Sequence, residues 1–417
     1  MLLIILATAS PIQAKTELEF WTINLSPNYD NYFLEKIEEF EEKNPNLKII
    51  WQDINFSSIN QKLRYQIAAG KAPALVNLSP QLMAPLLKDD LLRPISDFQK
   101  DYNKNYYPLL WENGYYQGKY YAFPWYLSSK VMIFNQEILK IAGLNKTDLT
   151  QNKAALYKAA EKITTKTGIY ALMPQIKIEQ EFMEAGINLF EDPAKKQKAA
   201  FNNKKAESII KRYQDLVQKK VIPKDSLTAG FNIALERYQK NELAILFSPQ
   251  QFIKEIESES KYLKDISQAA VIPTAEKGLV NAALMNLVLP KNNPHPKEAL
   301  KFAAFISSHK SQSEFSRIAP VLASTKSTDL DSNLKQEKLL DTANNQISLT
   351  KKVQVILKKQ LSRNQDLTLI HPKADKLLKV METEFSRAFA NKISAKEALN
   401  QMEKKWNKIL EEETLND

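Results

Sequence analysis

Between residues 18 and 79 short apolar runs alternate with longer amphipathic ones, and this pattern restricts the fold more than any other feature. LEFWTIN (18–24) is β-branched or aromatic and alternates with polar residues, as a strand does. In YFLEKIEEFEEKNP the residues Phe33, Ile37 and Phe40 fall at i, i+4 and i+7, so they share one face of a helix that Asn44-Pro45 stops. LKIIWQDIN (47–55) is a second strand. Ser57 is placed to cap a second helix carrying Ile59, Leu63 and Ile67, which Gly70 ends. ALVNLS (74–79) is short and largely apolar, as expected of a strand covered on both faces. Strand–helix–strand–helix–strand in this spacing builds a parallel sheet.

The pattern continues. KVMIFN (130–135), IYALMP (169–174), LAILFS (243–248), AAVIP (269–273) and LMNLVLP (284–290) read as strands, with helical patterns near 152–166, 203–220 and 249–261. A proline-capped helix, PKEALKFAAFISS, follows the last of these strands, and the final ninety residues read as almost wholly helical. There SAKEALNQMEKKWNKIL carries a capping box, Ser394 with Glu397, and an apolar stripe of Ala398, Met402, Trp406 and Ile409. A chain of 417 residues exceeds one ordinary core and suits two domains. No flexible linker separates two such halves, so the chain is expected to cross between lobes more than once, with the crossing strands as the hinge.

Residue usage excludes several kinds of chemistry. Cysteine is absent, which removes disulfides, thiolate nucleophiles and cysteine-ligated metals. His295, His309 and His371 are the only histidines and lie far apart, so zinc and histidine-base chemistry are disfavoured. With eight glycines and neither GxGxxG nor GxxxxGK[ST], no nucleotide cofactor is expected, and no metal or catalytic residue is assigned. The net charge of +10 comes mostly from lysines interleaved with glutamate, the pattern of solvated helix faces; a nucleic-acid partner is not expected. MLLIILATASPIQAK resembles a secretory signal (1–14) cleaved near Ala14, although a basic leading region is missing. An exported, periplasmic, monomeric protein is the expectation.

Several segments, in order along the chain, are similar to the extracellular solute-binding proteins of ABC importers, the carbohydrate-binding family resembling maltose-binding protein. They are FWTINLSPNYDNYFLEKIEEFEEKNPNLKI, KLRYQIAAGKAPALVNLS, LLRPISDF, GKYYAFPWYLSSKVMIFN, NELAILFSPQQF, ALMNLVLPKNNPHPKEALKFAAFISS and ISAKEALNQMEKKW. The chain departs from the family pattern at Ala74, where Asp is usual, at Ser248-Pro249-Gln250, which replaces Gly-x-Trp, and at Asn281-Ala282-Ala283, which replaces a Gly-Gly turn. The absent tryptophan argues against a long maltodextrin as ligand. The resemblance implies a type II periplasmic-binding-protein fold of class α/β: two lobes, each a mostly parallel sheet flanked by helices, with a cleft between them. The lobes would be 15–126 plus 275–325 and 127–274 plus 326–417.

The resemblance also gives GKYYAFPWYLSSKVMIFN a role. Pro124, which cannot donate to a ladder, would mark a strand end or the point where the strand leaves one sheet, and residues 125–129 would cross to the other lobe at the cleft floor. Sugars present an apolar face and a belt of hydroxyls, which rings and short polar side chains match. Trp125, Tyr126 and Ser128 are therefore candidate ligand contacts, whereas Tyr115 and Tyr116 read as loop surface. Ligands of open α/β sheets bind at the C-terminal strand ends. That rule adds Trp21, Asn24, Ser79, Gln81, Gln175, Gln250, Phe252 and, before a strand, Asn281. Trp51, Trp111 and Trp406 read as core. The implied function is the solute-binding component of an ABC transporter that takes a sugar or sugar-like ligand and passes it to permease subunits. Two alternatives remain: a binder of a polyol phosphate such as glycerol 3-phosphate, and a secreted glycan hydrolase. The hydrolase needs paired carboxylates, and the aromatic segment has none between Glu112 and Glu137.

Overall fold

The computed structural model describes residues 14–98, 101–193, 195, 197–326 and 347–414. The expected leader, apart from Ala14, lies outside them. The strands are β1 (Thr16–Ile23), β2 (Leu47–Ile54), β3 (Leu75–Leu78), β4 (Leu92–Arg93), β5 (Tyr115–Tyr116), β6 (Lys119–Tyr120), β7 (Ala122–Asn135), β8 (Tyr170–Leu172), β9 (Leu243–Pro249), β10 (Ser267–Ala270), β11 (Val280–Pro290), β12 (Leu322–Ala323) and β13 (Asn364–Gln365). One hydrogen-bonded path runs β2-β1-β3-β11-β7-β9-β8. Its two ends are parallel, β1 with β2 and β3, and β8 with β9. Its centre is antiparallel: β11 pairs with both β3 and β7, and β7 with β9.

The centre makes one molecule of two half-sheets. In β7 the residues from Ala122 to Ser129 pair with β11, and those from Lys130 to Phe134 pair with β9. β11 pairs with β13 at Val280 and Asn281, and with β3 at Asn286, Leu287 and Val288. Two long strands therefore pass from one half-sheet into the other. Pro124 does not end a strand, as expected from its missing N–H; it sits inside β7 opposite Asn286, where the register with β11 shifts. A bulge tolerates a residue that cannot donate to the ladder.

Each half-sheet is covered on both faces, as strand alternation requires. Leu18 and Phe20 of β1 pack with Phe33, Ile37, Phe40 and Phe302, while Trp21 and Ile23 face Ile59, Leu63, Ile67 and Met83. In the other half Met132 and Phe134 of β7 join one core, and Val131 and Ile133 another. The stripe expected near the C-terminus closes the first of these: Ala398, Met402 and Trp406 are buried, Ile409 packs alongside, and Ser394 Oγ accepts from Glu397 N at 3.1 Å. Two local expectations are corrected. The helix Ile59–Ala68 is preceded by Ser58, with no side-chain cap, because the Ser57 hydroxyl turns back to Asn55 Oδ1 at 2.8 Å. The helix expected near 249–261 is broken at Ser260, whose hydroxyl caps a separate helix, Lys261–Ile266, by accepting from Leu263 N.

Candidate functional site

At the C-terminal ends of β1, β2 and β3 Asp53 and Ser79 are used in internal bonding and the large rings are buried. Asp53, near the end of β2, accepts from Thr22 Oγ1 at 2.6 Å and from Leu25 N at 3.0 Å. Ser79 is the N-cap of the helix Pro80–Lys88, its hydroxyl accepting from Leu82 N. Asn24 is exposed at a left-handed turn, φ +51°, and Gln81 is an exposed helix residue. Trp21 is fully buried with the Lys62 ammonium 4.6 Å from its ring centroid. Trp125, expected on the cleft floor, is also fully buried; its ring lies stacked with Phe315 and its indole N–H donates to Ile306 O at 3.2 Å. Tyr126 is buried beside it, with its hydroxyl reaching Asn77 Oδ1, and burial raises its pKa, with Asp53 adding to the effect. The rings placed in the cleft by the sequence are thus core: the bulge at Pro124 lets both Trp125 and Tyr126 join one packed aromatic cluster.

The C-terminal ends of β8 and β9 are different. A cavity of about 320 Å³ opens there, within the usual range for small-molecule sites of roughly 300–1,000 Å³. One wall is the pair of crossing strands, residues 128–130 of β7 and 280–283 of β11. Ser128, expected from its place in the crossing segment, and Gln175 and Asn281, expected from their places at strand ends, line it. Asn281 is oriented by two bonds, donating to Gln180 Oε1 at 2.9 Å and accepting from Leu367 N at 3.1 Å. Gln250 and Phe252 do not line the cavity. Gln250 opens a 3₁₀ turn, and Phe252 packs on Phe231 with ring centroids 4.6 Å apart, leaving Gln251 to face the space.

The side chains that give the cavity its chemistry were not expected from the sequence. Lys153 begins the helix Lys153–Thr167, which Asn152 caps, and its ammonium donates to Glu181 at 2.8 Å and Glu184 at 2.6 Å. Burial opposes the Lys153 charge, but Glu181 and Glu184 outweigh it and hold the ammonium above its ordinary pKa. Burial pushes the Glu184 carboxyl up against the pull of Lys153. Tyr157 and Tyr213 share a hydrogen bond of 3.0 Å beneath, and burial raises Tyr157 to about 12. Phe247 of β9 adds a half-buried ring. Lys130, from β7, donates to Gln175 Oε1 at 3.2 Å. The strand-end rule stops at Gln175; Gln180 and Glu181 lie in the helix Ile178–Glu184 that follows it. Lys153 starts a helix distant in sequence and carried no signal.

The arrangement can bind and orient a small polar molecule. Its two carboxylates come from one short helix, Ile178–Glu184, and both are tied to Lys153. A glycan hydrolase instead needs acids facing each other across the bond to be cleaved. A larger hollow of about 440 Å³ lies between residues 191–198 and the last helix, but it has no aromatic lining and no strand end. Among the described residues no helix is long and apolar enough to cross a membrane.

Two half-sheets joined by crossing strands, with a cavity of mixed charged, amide and apolar lining at the crossing, define a two-lobed binding protein. Residues 26–313 match the bacterial extracellular solute-binding proteins, and the chain belongs to that family. A stretch of 171 residues is 25% identical to the arabinooligosaccharide-binding protein of Bacillus subtilis (strain 168), covering 37% of this chain and 36% of that relative. Among solved structures, a candidate oligosaccharide periplasmic-binding protein of Synechococcus sp. MITs9220 is similar at 25% identity and a TM-score of 0.79, covering 95% of this chain and 99% of that one. The sugar-binding protein MalE of Xanthomonas citri shares the fold at 20% identity and a TM-score of 0.77, over 96% and 98% of the two chains.

Proposed function

We propose that this protein binds a sugar in the cavity beside the crossing strands and delivers it, as the solute-binding component of an ABC importer, to permease subunits. The observation that carries the reading is the mixture lining one cavity at the crossing. Phe247 and Tyr157 supply apolar faces, Gln175, Gln180 and Asn281 supply donors and acceptors already oriented by neighbours, and Ser128 adds a hydroxyl. The sugar-binding relatives at comparable identity support it. Closure about β7 and β11 would bring the ends of β1, β2 and β3 over the ligand, so its contacts divide between lobes and its binding shifts an open–closed equilibrium. The lobes are residues 15–126 plus 275–325 and 127–274 plus 326–417. The protein acts as an exported periplasmic monomer and performs no covalent chemistry.

Titration calorimetry and thermal melting against monosaccharides, arabino-oligosaccharides and malto-oligosaccharides test this. The expected result is saturable binding of at least one sugar, unchanged in mass afterwards, with stability raised by about 2.7 kcal/mol at a hundredfold excess over Kd. Absence of any sugar-dependent shift defeats the reading, and release of a cleaved product favours the hydrolase.

A further inference from the structure

Two lysines line the same cavity in opposite circumstances. Lys153 is paired with Glu181 and Glu184, so its own charge is satisfied within the protein. Lys130 lies where β7 exchanges β11 for β9, its carbonyl held by Gln360 Nε2 at 2.7 Å and its side chain directed to the cavity. Its ammonium meets only the neutral amide oxygen of Gln175, and no carboxylate among the described residues forms an ion pair with it. Lys177, exposed on the rim, likewise has no ion pair among the described residues. A largely buried ammonium without a counter-charge is costly, and closing the cleft over a neutral solute would bury it further.

On the reading that the cavity holds a sugar, we propose that the solute is an anionic one, a sugar bearing a carboxylate or phosphate group that lies against Lys130 and Lys177. Gln175 holds the Lys130 ammonium in place, and the acid group completes its coordination with a charge-assisted hydrogen bond. Burial and the like charge of Lys177 both depress the pKa of Lys130 in the ligand-free protein, which an anion beside it reverses. Lys177 also lies within electrostatic reach of the buried carboxyls of Glu179 and Asp366, whose pKa burial raises and Lys177 draws down, but among the described residues neither carboxyl forms an ion pair with Lys177 or Lys130.

The test is calorimetric titration of the full chain with matched sugars: galacturonate and glucuronate oligomers, their neutral counterparts, and hexose phosphates. The acidic member of at least one pair binds tighter by roughly tenfold or more, and Lys130→Met abolishes that preference while Lys130→Arg keeps it. The carboxylate and phosphate arms identify which acid group is used. Because Lys130 packs against the hinge, Lys177→Gln at the exposed rim provides a second arm, with a severalfold loss for acidic sugars alone. Neutral sugars binding as tightly as acidic ones, or a preference untouched by both substitutions, overturns the inference and leaves the sugar reading standing. No binding by any sugar removes both.

Discussion

The two sets of strand ends that face the cleft follow one topological rule and reach opposite outcomes. At the ends of β1, β2 and β3 Asp53 anchors Thr22 and Leu25, Ser79 caps a helix, Trp125 and Tyr126 fill the core behind, and Asn24 and Gln81 lie exposed. At the ends of β8 and β9 the backbone stands apart from its covering helices and leaves a cavity with charged and aromatic walls. A strand end is thus a place where a ligand can bind, and whether it does depends on what the local side chains already satisfy.

The largest test of this contrast is Trp125→Ala. The ring is fully buried among Phe20, Phe33 and Phe315, so its loss should cost about 3–5 kcal/mol in chemical denaturation, with the affinity of the remaining folded protein little changed. A small stability cost with lost binding would break the contrast. Lys153→Met is the counterpart on the other side and should affect both properties. It leaves Glu181 and Glu184 without their cation, a loss of about 3 kcal/mol. Since the folded pKa of Lys153 is raised, its stabilisation is fully present below the unfolded value of about 10.4 and is lost only as pH rises through the folded value. Denaturation of both proteins from neutral pH to about pH 11 should show a constant difference that narrows only at the alkaline end. The smallest effect is expected for Ser79→Ala: about 0.5–1 kcal/mol from the lost cap, and unchanged sugar affinity by calorimetry. A large affinity loss there would show that the Ser79 hydroxyl itself, besides capping its helix, grips the ligand when the lobes close.

The fold was legible because period and turn chemistry are local. Phe33, Ile37 and Phe40 are buried on one helix face, and Ala398, Met402 and Trp406 on another. The expected strands 130–135 and 284–290 were the apolar ends of β7 and β11, whose crossing portions hold Ser128, Ser129 and Asn281 and so lack a continuous apolar signal. The site was less legible. Gln175 and Asn281 could be placed because they adjoin strand ends, a property of the chain's order, and Ser128 because it falls in the segment expected to cross between lobes. Trp125 looked like a sugar platform and is core, because a ring's exposure depends on partners such as Phe315 and Ile306, about 180–190 residues away. Lys153 and Lys130 resemble the chain's many solvated lysines, and only tertiary contacts separate one paired with two glutamates from one facing a neutral amide.

The fourteen-residue strand β7 contributes to the hydrophobic interior of both halves, Phe123 and Trp125 to one and Met132 and Phe134 to the other. Neither half owns its middle strand outright. A cut within that strand would therefore strip a central element from each side at once, and a fragment ending at residue 126 would present a raw sheet edge rather than a smaller, self-sufficient body.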